Sequence, residues 1–173
     1  MQVIECSERE HANAILEIFN ETIRNSTALW EYSSRSAEDM ARWFAGKRAG
    51  GYPVIGIEDA RGLLLGFASY GPFRVYPAYK YSIEHSVYVH AAHRGQGLGE
   101  RLLSALIERA RQQQYHCLVG AIDASNTASI ALHRRLGFEH AGTIRHAGFK
   151  FGRWLDLALY QRLLDTPTTP EDG

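Results

Sequence analysis

The stretch most able to do chemistry is a glycine-rich turn at residues 94–99. Arg94 is followed by glycines at positions 95, 97 and 99, and the apolar spacing after them predicts an amphipathic helix. Glycine lets the backbone approach a ligand closely, and the free N–H groups of a first helical turn attract an anion. The Arg94 guanidinium adds donors suited to phosphate oxygens. The turn therefore predicts a site for a phosphate-bearing ligand.

The spacing within this turn excludes two common nucleotide-binding motifs. No Gly-Lys-Ser or Gly-Lys-Thr follows, so it is not a Walker A loop. Its Gly-x-Gly-x-Gly pattern differs from the Rossmann pattern, and no acidic residue follows at the Rossmann distance. Taken alone, the turn is also compatible with an ordinary connection between a strand and a helix.

Two further side chains have the chemistry to move protons. Glu84 lies in a predicted strand leading toward the turn, and a carboxylate in an aromatic-lined cleft gains basicity because burial raises its pKa. His133 lies in a predicted short helix, and an imidazole titrates near neutral pH. The alternatives are a solvated charge at a strand end for Glu84 and a histidine on the helix surface for His133.

The loop at residues 73–76 predicts an anchor for an anionic substrate. The Arg74 guanidinium matches a carboxylate or a tetrahedral oxyanion, and His85 and Ser86 are candidate neighbouring donors. An arginine on an exposed loop with no ligand is the alternative. Several aromatic side chains either wall the pocket or cover the sheet: Trp30, Phe73, Tyr76 and Tyr79.

Hydrophobic periodicity predicts the order β-α-α-β-β-β-α-β-α-β-β, which is typical of a mixed sheet with flanking helices. Ser7 and Ser36 are the predicted N-caps of the first two helices. The predicted strands are 3–6, 53–58, 63–70, 82–90, 116–122, 138–144 and 153–164. The first predicted helix follows Ser7, and the other three cover 37–48, 97–114 and 127–136.

Composition limits the class of protein and its partners. The chain has 173 residues, close to the roughly 150 of one domain, and we predict one domain at 1–164 with a disordered tail at 165–173. Nineteen basic residues balance nineteen acidic ones, which argues against a nucleic-acid partner. No apolar run is long enough to cross a membrane. Cys6 and Cys117 lack metal-ligand spacing and predict free thiols in a reducing cytoplasm.

Two motifs carry a family resemblance that covers nearly the whole chain. The Arg-x-x-Gly-x-Gly of residues 94–99 resembles the acyl-CoA pyrophosphate loop of the GCN5-related N-acetyltransferases (GNAT). Residues 123–138, which run from Asp-Ala-Ser-Asn to Leu-Gly-Phe, resemble the second signature of that family. The resemblance implies an α/β GNAT fold with a mixed central sheet of about six or seven strands and about four helices. It also implies acetyl-CoA as co-substrate, without a metal.

The resemblance further implies which residues bind the cofactor. The backbone of Val87 and Val89 would pair with the pantetheine amides, and the Asn126 amide would contact the pantetheine arm while also capping its helix. The full set of expected cofactor-binding residues is Val87, Tyr88, Val89, Arg94, Gly95, Gln96, Gly97, Leu98, Gly99, Glu100 and Asn126.

A narrower resemblance concerns residues 81–89 and 148–156, which are similar to the phosphinothricin and methionine sulfoximine acetyltransferase branch. It implies a homodimer that acetylates the α-amino group of a small glutamate-like compound by direct transfer in a ternary complex. Glu84 would be the base, and His133 would act on the departing thiolate or the amine. The expected substrate-binding residues are Arg74, Val75, Tyr76, Glu84, His85 and Ser86.

Two alternatives to this function remain at the level of sequence. One is a non-catalytic acyl-CoA-binding module that keeps the fold without turnover. The other is an acetyltransferase for polyamines or protein N-termini. Polyamine sites favour an acidic lining, whereas residues 73–81 contain Arg74 and Lys80 and no acid.

Overall fold

A computed structural model describes residues 1–172, and its elements follow the predicted order. The strands are β1 (Gln2–Glu5), β2 (Val54–Glu58), β3 (Leu64–Pro72), β4 (Ser82–Val89), β5 (Cys117–Asp123), β6 (Glu139–Lys150) and β7 (Arg153–Leu163). The helices are α1 (Glu8–Asn25), α2 (Ala37–Ala49), α3 (Leu98–Gln112) and α4 (Thr127–Arg135). Short 3-10 turns lie at Pro77–Tyr79 and Ala91–His93.

The strands form one seven-stranded sheet in the order β1-β2-β3-β4-β5-β7-β6. Strands β4 and β5 are parallel, whereas β1 with β2, β2 with β3, β5 with β7 and β6 with β7 are antiparallel. This mixed sheet with four helices confirms the predicted fold class. None of the helices within residues 1–172 is both long and apolar enough to cross a bilayer.

Contacts divide the chain into two compact units, each made of two segments. The first unit contains Met1–Ser69 and Ser86–Leu106, and the second contains Tyr70–His85 and the chain from Ile107 onward. Both β3 and β4 cross a boundary, since the first unit ends at Ser69 within β3 and resumes at Ser86 within β4.

The first unit has a core built around aromatic rings. The ring of Phe19 from α1 meets Phe67 from β3 and Tyr88 from β4 edge-on, with centroids 5.0 and 5.2 Å apart. Such edge-to-face pairs are favourable beyond the area they bury. The predicted caps are present: Ser7 accepts the Glu10 N–H, and Ser36 forms a full capping box with Asp39.

The second unit carries the largest departure from prediction. Strand β6 was expected over 138–144 but runs from Glu139 to Lys150, where it pairs with β7 up to Lys150 and Arg153. The turn at Phe151 and Gly152 uses positive φ values of 51° and 73°. Register shifts between His140 and Gly142 and between Ile144 and Gly148 interrupt the ladder. These interruptions broke the alternation that marks a strand in sequence.

Residues 165–172, at the predicted tail, form no helix or strand. Hydrogen bonds nevertheless attach them to the second unit: Thr166 donates to the Tyr115 carbonyl, its own carbonyl lies 2.9 Å from His116 Nδ1, and the Tyr81 hydroxyl contacts the Glu171 backbone. The composition of this segment predicted none of these contacts. The boundary between domain and tail stays a prediction.

Candidate active site

The glycine-rich turn in the first unit leaves its backbone open. Gly95 and Gly97 have φ values of 77° and 74°, which only glycine adopts readily. A Cβ atom added to either would meet nothing within 4 Å. The first helical hydrogen bond of α3 runs from the Arg101 N–H to the Gly97 carbonyl. Helix geometry therefore leaves the N–H groups of residues 98 and 99 without intrahelical partners, as an anion site requires.

Arg94, at the start of this turn, is held by two protein groups. Its Nη2 lies 2.7 Å from a carboxylate oxygen of Glu21 on α1, and its Nε donates to the Val89 carbonyl at 3.3 Å. The side chain is half exposed. Sequence reasoning assigned this guanidinium to phosphate alone and missed Glu21, because the two residues lie far apart in the chain.

Strand β4 presents backbone near its C-terminal end. Its parallel pairing with β5 covers Ser82 to His85 and ends at the pair His85–Gly120, while β4 itself continues to Val89. The side chain of Tyr88 belongs to the aromatic core of the first unit. Any cofactor role of Tyr88 must therefore be a backbone role, which is the role predicted for Val87 and Val89.

In the second unit, Glu84 and Arg74 lie close together. Arg74 Nη1 is 4.0 Å from a Glu84 carboxylate oxygen, and both side chains are partly exposed. Burial raises the pKa of the Glu84 carboxyl above its usual value, and the positive charge of Arg74 opposes that rise. The direction agrees with the sequence-based expectation of a strengthened base.

The loop that carries Arg74 is open to solvent. Val75 and Tyr76 are 88% and 70% exposed, and Ser86 on β4 is exposed as well. The Arg74 guanidinium lies over the Phe73 ring and donates to the Phe73 carbonyl at 2.7 Å. These contacts hold the guanidinium near Glu84 while leaving about half of its side chain accessible.

The most unusual feature of this unit is a buried pair of histidines. His85 on β4 and His133 on α4 are 5% exposed each, and their Nε2 atoms are 2.9 Å apart. The ring of Phe138 packs against both, with centroids 5.1 and 5.0 Å away. The interpretation of His133 as a surface histidine is therefore wrong, because its ring faces β4 rather than solvent.

The neighbouring groups fix the protons of this pair. His133 Nδ1 lies 2.7 Å from the Ser129 carbonyl oxygen, and a carbonyl only accepts, so Nδ1 carries the hydrogen. In a neutral ring Nε2 then holds a lone pair, which accepts the Nε2–H of His85. Both His133 nitrogens are thus engaged. The His85 ring is not presented to a substrate, although the sequence predicted it as a substrate-binding residue.

Burial keeps both rings neutral. Desolvation, followed by the repulsion of His133, lowers the pKa of His85 from 6.5 to about 3, and a backbone group of Val119 opposes this. Desolvation also lowers the pKa of His133, opposed by the Ser129 carbonyl. Gly120 makes room for the pair, because a Cβ there would lie 2.9 Å from His133 Nε2. A glycine inside a strand signals such a close approach, so Gly120 could have been found from sequence.

Asn126 stands at the N-terminus of α4, as predicted. Its side-chain oxygen accepts the Ser129 N–H at 3.1 Å, so the predicted capping role is confirmed. Just before it, the buried Asp123 carboxylate accepts the N–H and hydroxyl of Ser125 and lies 3.4 Å from Arg153 Nη2. These contacts fix the turn that presents Asn126.

The cysteines offer no nucleophile. Both are free thiols; burial, then Glu58 and Glu5, raises the pKa of Cys6 to about 12, and burial raises the pKa of Cys117. Within residues 1–172, no group of three or more metal-ligating side chains of His, Cys, Asp or Glu comes together.

Comparison with known proteins decides the family. Residues 13–138 match the acetyltransferase (GNAT) family. The chain belongs to this family. The L-methionine sulfoximine/L-methionine sulfone acetyltransferase of Pseudomonas paraeruginosa (strain DSM 24068 / PA7) is 48% identical over 151 residues, covering 87% of this chain and 88% of the relative. A phosphinothricin N-acetyltransferase of Alcaligenes faecalis is 36% identical over 90% of this chain and 79% of its own length.

A similar solved structure contains acetyl-CoA as its cofactor. YncA of Salmonella typhimurium, determined with its cofactor acetyl-CoA, superposes with a TM-score of 0.94 at 38% identity over 99% of this chain and 98% of that chain. The protein is an acetyl-CoA-dependent N-acetyltransferase of the phosphinothricin and methionine sulfoximine branch. The open glycine turn before α3 fits the anionic pyrophosphate of that co-substrate.

The buried histidine pair makes the folding stability of the protein decrease as the pH falls. An unfolded His85 ring titrates at its ordinary pKa of 6.5 and the folded one at about 3, so between these values the unfolded state binds more protons. The contribution of the neutral His85 ring to stability is fully present above pH 6.5. Below that value the free energy of unfolding falls by about 1.4 kcal/mol per pH unit for one such proton.

We expect His85→Leu to reduce the slope of unfolding free energy against pH between pH 6 and 4, measured by urea denaturation. His140→Gln, which removes an exposed imidazole, is the control and keeps the parent slope. An unchanged slope in His85→Leu would show that the pair does not govern acid sensitivity.

Proposed function

We propose that the enzyme acetylates the α-amino group of a small methionine-derived or glutamate-like compound, such as methionine sulfone, methionine sulfoximine or phosphinothricin. The observation that carries this proposal is the placement of the Arg74 guanidinium 4.0 Å from the Glu84 carboxylate. A cation that recognises carboxylate or sulfone oxygens thus lies beside a carboxylate able to deprotonate an amine. The activities named for the relatives support the same substrate class.

The reaction proceeds by direct transfer in a ternary complex. Glu84 accepts a proton from the substrate ammonium, and the neutral amine attacks the thioester carbonyl carbon. The new C–N bond forms as the C–S bond breaks, and the departing thiolate takes up the proton that the attacking nitrogen loses as it becomes an amide. Holding the two substrates together supplies much of the rate gain, so no covalent intermediate on the protein is required.

The cofactor would lie along the elements predicted for it. The N–H groups of residues 95–100 would hold the pyrophosphate, with Arg94 contributing charge. Backbone groups of Val87 and Val89 would pair with the pantetheine arm and the acetyl oxygen. The Asn126 amide nitrogen, which makes no hydrogen bond within residues 1–172, supports a contact to pantetheine.

His133 has a more restricted place in the proposal than sequence suggested. Its Nδ1–H is directed to Ser129 and its Nε2 to His85. To protonate a thiolate through Nε2, His133 would first have to break its hydrogen bond with His85 and gain a proton on that nitrogen. Its supported role is to hold α4, and with it Asn126, against strand β4.

We expect Glu84→Gln to lower kcat by about 10²-fold or more at pH 7, because the amide cannot accept the ammonium proton. Raising the pH should partly restore the rate, since more substrate amine is then already neutral. Steady-state kinetics from pH 6 to 9 measure this. Glu108→Gln, which removes an exposed carboxylate on α3, is the control. Parent-like turnover of Glu84→Gln at pH 7 would place the base elsewhere.

The substrate proposal has a separate test in Arg74→Ala. Losing a charge-assisted contact costs about 1.5–3 kcal/mol, or about 10- to 150-fold in kcat/KM for methionine sulfone, with the acetyl-CoA KM unchanged. Arg61→Ala, which removes an arginine with a side chain 89% exposed, is the control. Plain methionine, which lacks the oxygens, should be much poorer than its sulfone. Equal kcat/KM for methionine and its sulfone would contradict the proposed substrate class. A higher kcat/KM for spermidine or for peptides would contradict it as well.

We also propose that the enzyme acts as a homodimer in the cytoplasm. The β6–β7 hairpin lies at one end of the sheet and exposes four apolar side chains: Ile144 and Phe149 on β6, Phe151 in the turn and Trp154 on β7. Such a patch is typical of a protein interface. Light scattering should give twice the 19.4 kDa of one chain, and Phe149→Glu should halve that mass, whereas Leu63→Glu should not. A monomeric parent would contradict the dimer.

A further inference from the structure

Glu21 on helix α1 contacts the phosphate-binding turn through Arg94. Its carboxylate oxygen lies 2.7 Å from Arg94 Nη2, and its side chain is only 24% exposed. We propose that Glu21 is a positioning residue for acetyl-CoA, acting through Arg94. The inference rests on the proposed role of the turn in binding the pyrophosphate.

The three nitrogens of the Arg94 guanidinium have different surroundings. Nε donates to the Val89 carbonyl and Nη2 to Glu21, whereas Nη1 makes no hydrogen bond with any group of residues 1–172. An arginine held at two nitrogens has already lost much of the side-chain freedom that binding would otherwise restrict. The remaining donor is then available to a phosphate oxygen in a fixed direction.

Glu21 is itself firmly placed. Its neighbours Thr22 and Ile23 are buried, and Thr22 donates its hydroxyl to the Ile18 carbonyl. Two residues before Glu21, Phe19 packs against Phe67 and Tyr88 in the core of the first unit. The carboxylate therefore projects from a rigid helix, and the ion pair transmits that rigidity to Arg94.

The contact to Val89 extends the effect along β4. Arg94 Nε donates to the carbonyl of Val89, whose backbone belongs to the stretch proposed to pair with the pantetheine arm and the acetyl oxygen. Glu21 thus stabilises an arginine that spans from the pyrophosphate turn to the end of the strand. Its removal should affect acetyl-CoA binding and leave the amine site unaffected.

The test compares Glu21→Gln with Glu17→Gln in the full chain. Gln keeps the size of the side chain and removes its charge, and Glu17 is an exposed carboxylate one turn earlier on the same helix. Calorimetry gives the Kd for CoA, and steady-state kinetics separate the KM for acetyl-CoA from kcat and from the KM for the amine. Both variants are repeated in an Arg94→Ala background.

We expect Glu21→Gln to weaken CoA about two- to five-fold, the usual range for a partly exposed ion pair, with a smaller effect at high salt. In Glu21→Gln the KM for the amine and kcat should be unchanged, and Glu17→Gln should keep the parent values throughout. Glu21→Gln should have no effect on CoA binding in the Arg94→Ala background. Tighter CoA binding by Glu21→Gln would overturn the proposal by showing that the carboxylate competes with phosphate. Equal weakening with and without Arg94 would also overturn it.

The failure of this inference differs from the failure of the proposed cofactor site. If Arg94→Ala weakens CoA but Glu21→Gln does not, the role of the turn stands and only the positioning role of Glu21 is overturned. If Arg94→Ala itself leaves the Kd for CoA unchanged, the proposed phosphate role of Arg94 fails, and the inference about Glu21 fails with it.

Discussion

The hydrogen bond between two buried neutral imidazoles constrains much of the second unit. It joins His85 on β4 to His133 on α4, the two elements that also carry Glu84 and Asn126. The two buried Nε2 atoms are each other's hydrogen-bond partners, and leaving a buried donor unsatisfied is costly. The requirement for Gly120 follows directly, because any side chain there would occupy the volume of the His133 ring.

Strand alternation lets β4 serve structure and chemistry at once. Ile83 and His85 are buried, whereas Glu84 between them is only half-buried, as the two-residue period of a strand demands. The inward side chains fix the strand against its neighbours, and the outward carboxylate inherits that rigidity. A carboxylate held by its backbone in this way needs few contacts of its own, which would leave its oxygens available to a substrate in the proposed reaction.

Local signals in the sequence predicted most of the fold. The caps at Ser7, Ser36 and Asn126 fixed the starts of three helices, since each satisfies N–H groups within its own first turn. Contacts between distant residues could not be found in this way. Glu21 meets Arg94 and His85 meets His133 only after the sheet has formed, and neither glutamate nor histidine carries a local mark of its partner.

The partner of Glu84 explains how recognition and base strength are linked in the proposed reaction. Burial raises the pKa of this carboxyl, and the positive charge of Arg74 opposes the rise. In the proposed reaction, a substrate anion bound to Arg74 would neutralise that opposing charge, so the pKa of Glu84 would rise further with the substrate in place. The carboxylate would then be a stronger base beside an amine whose own anionic group is bound to Arg74. The 4.0 Å separation allows this coupling, since it is close enough for Coulombic interaction and too long for a tight ion pair.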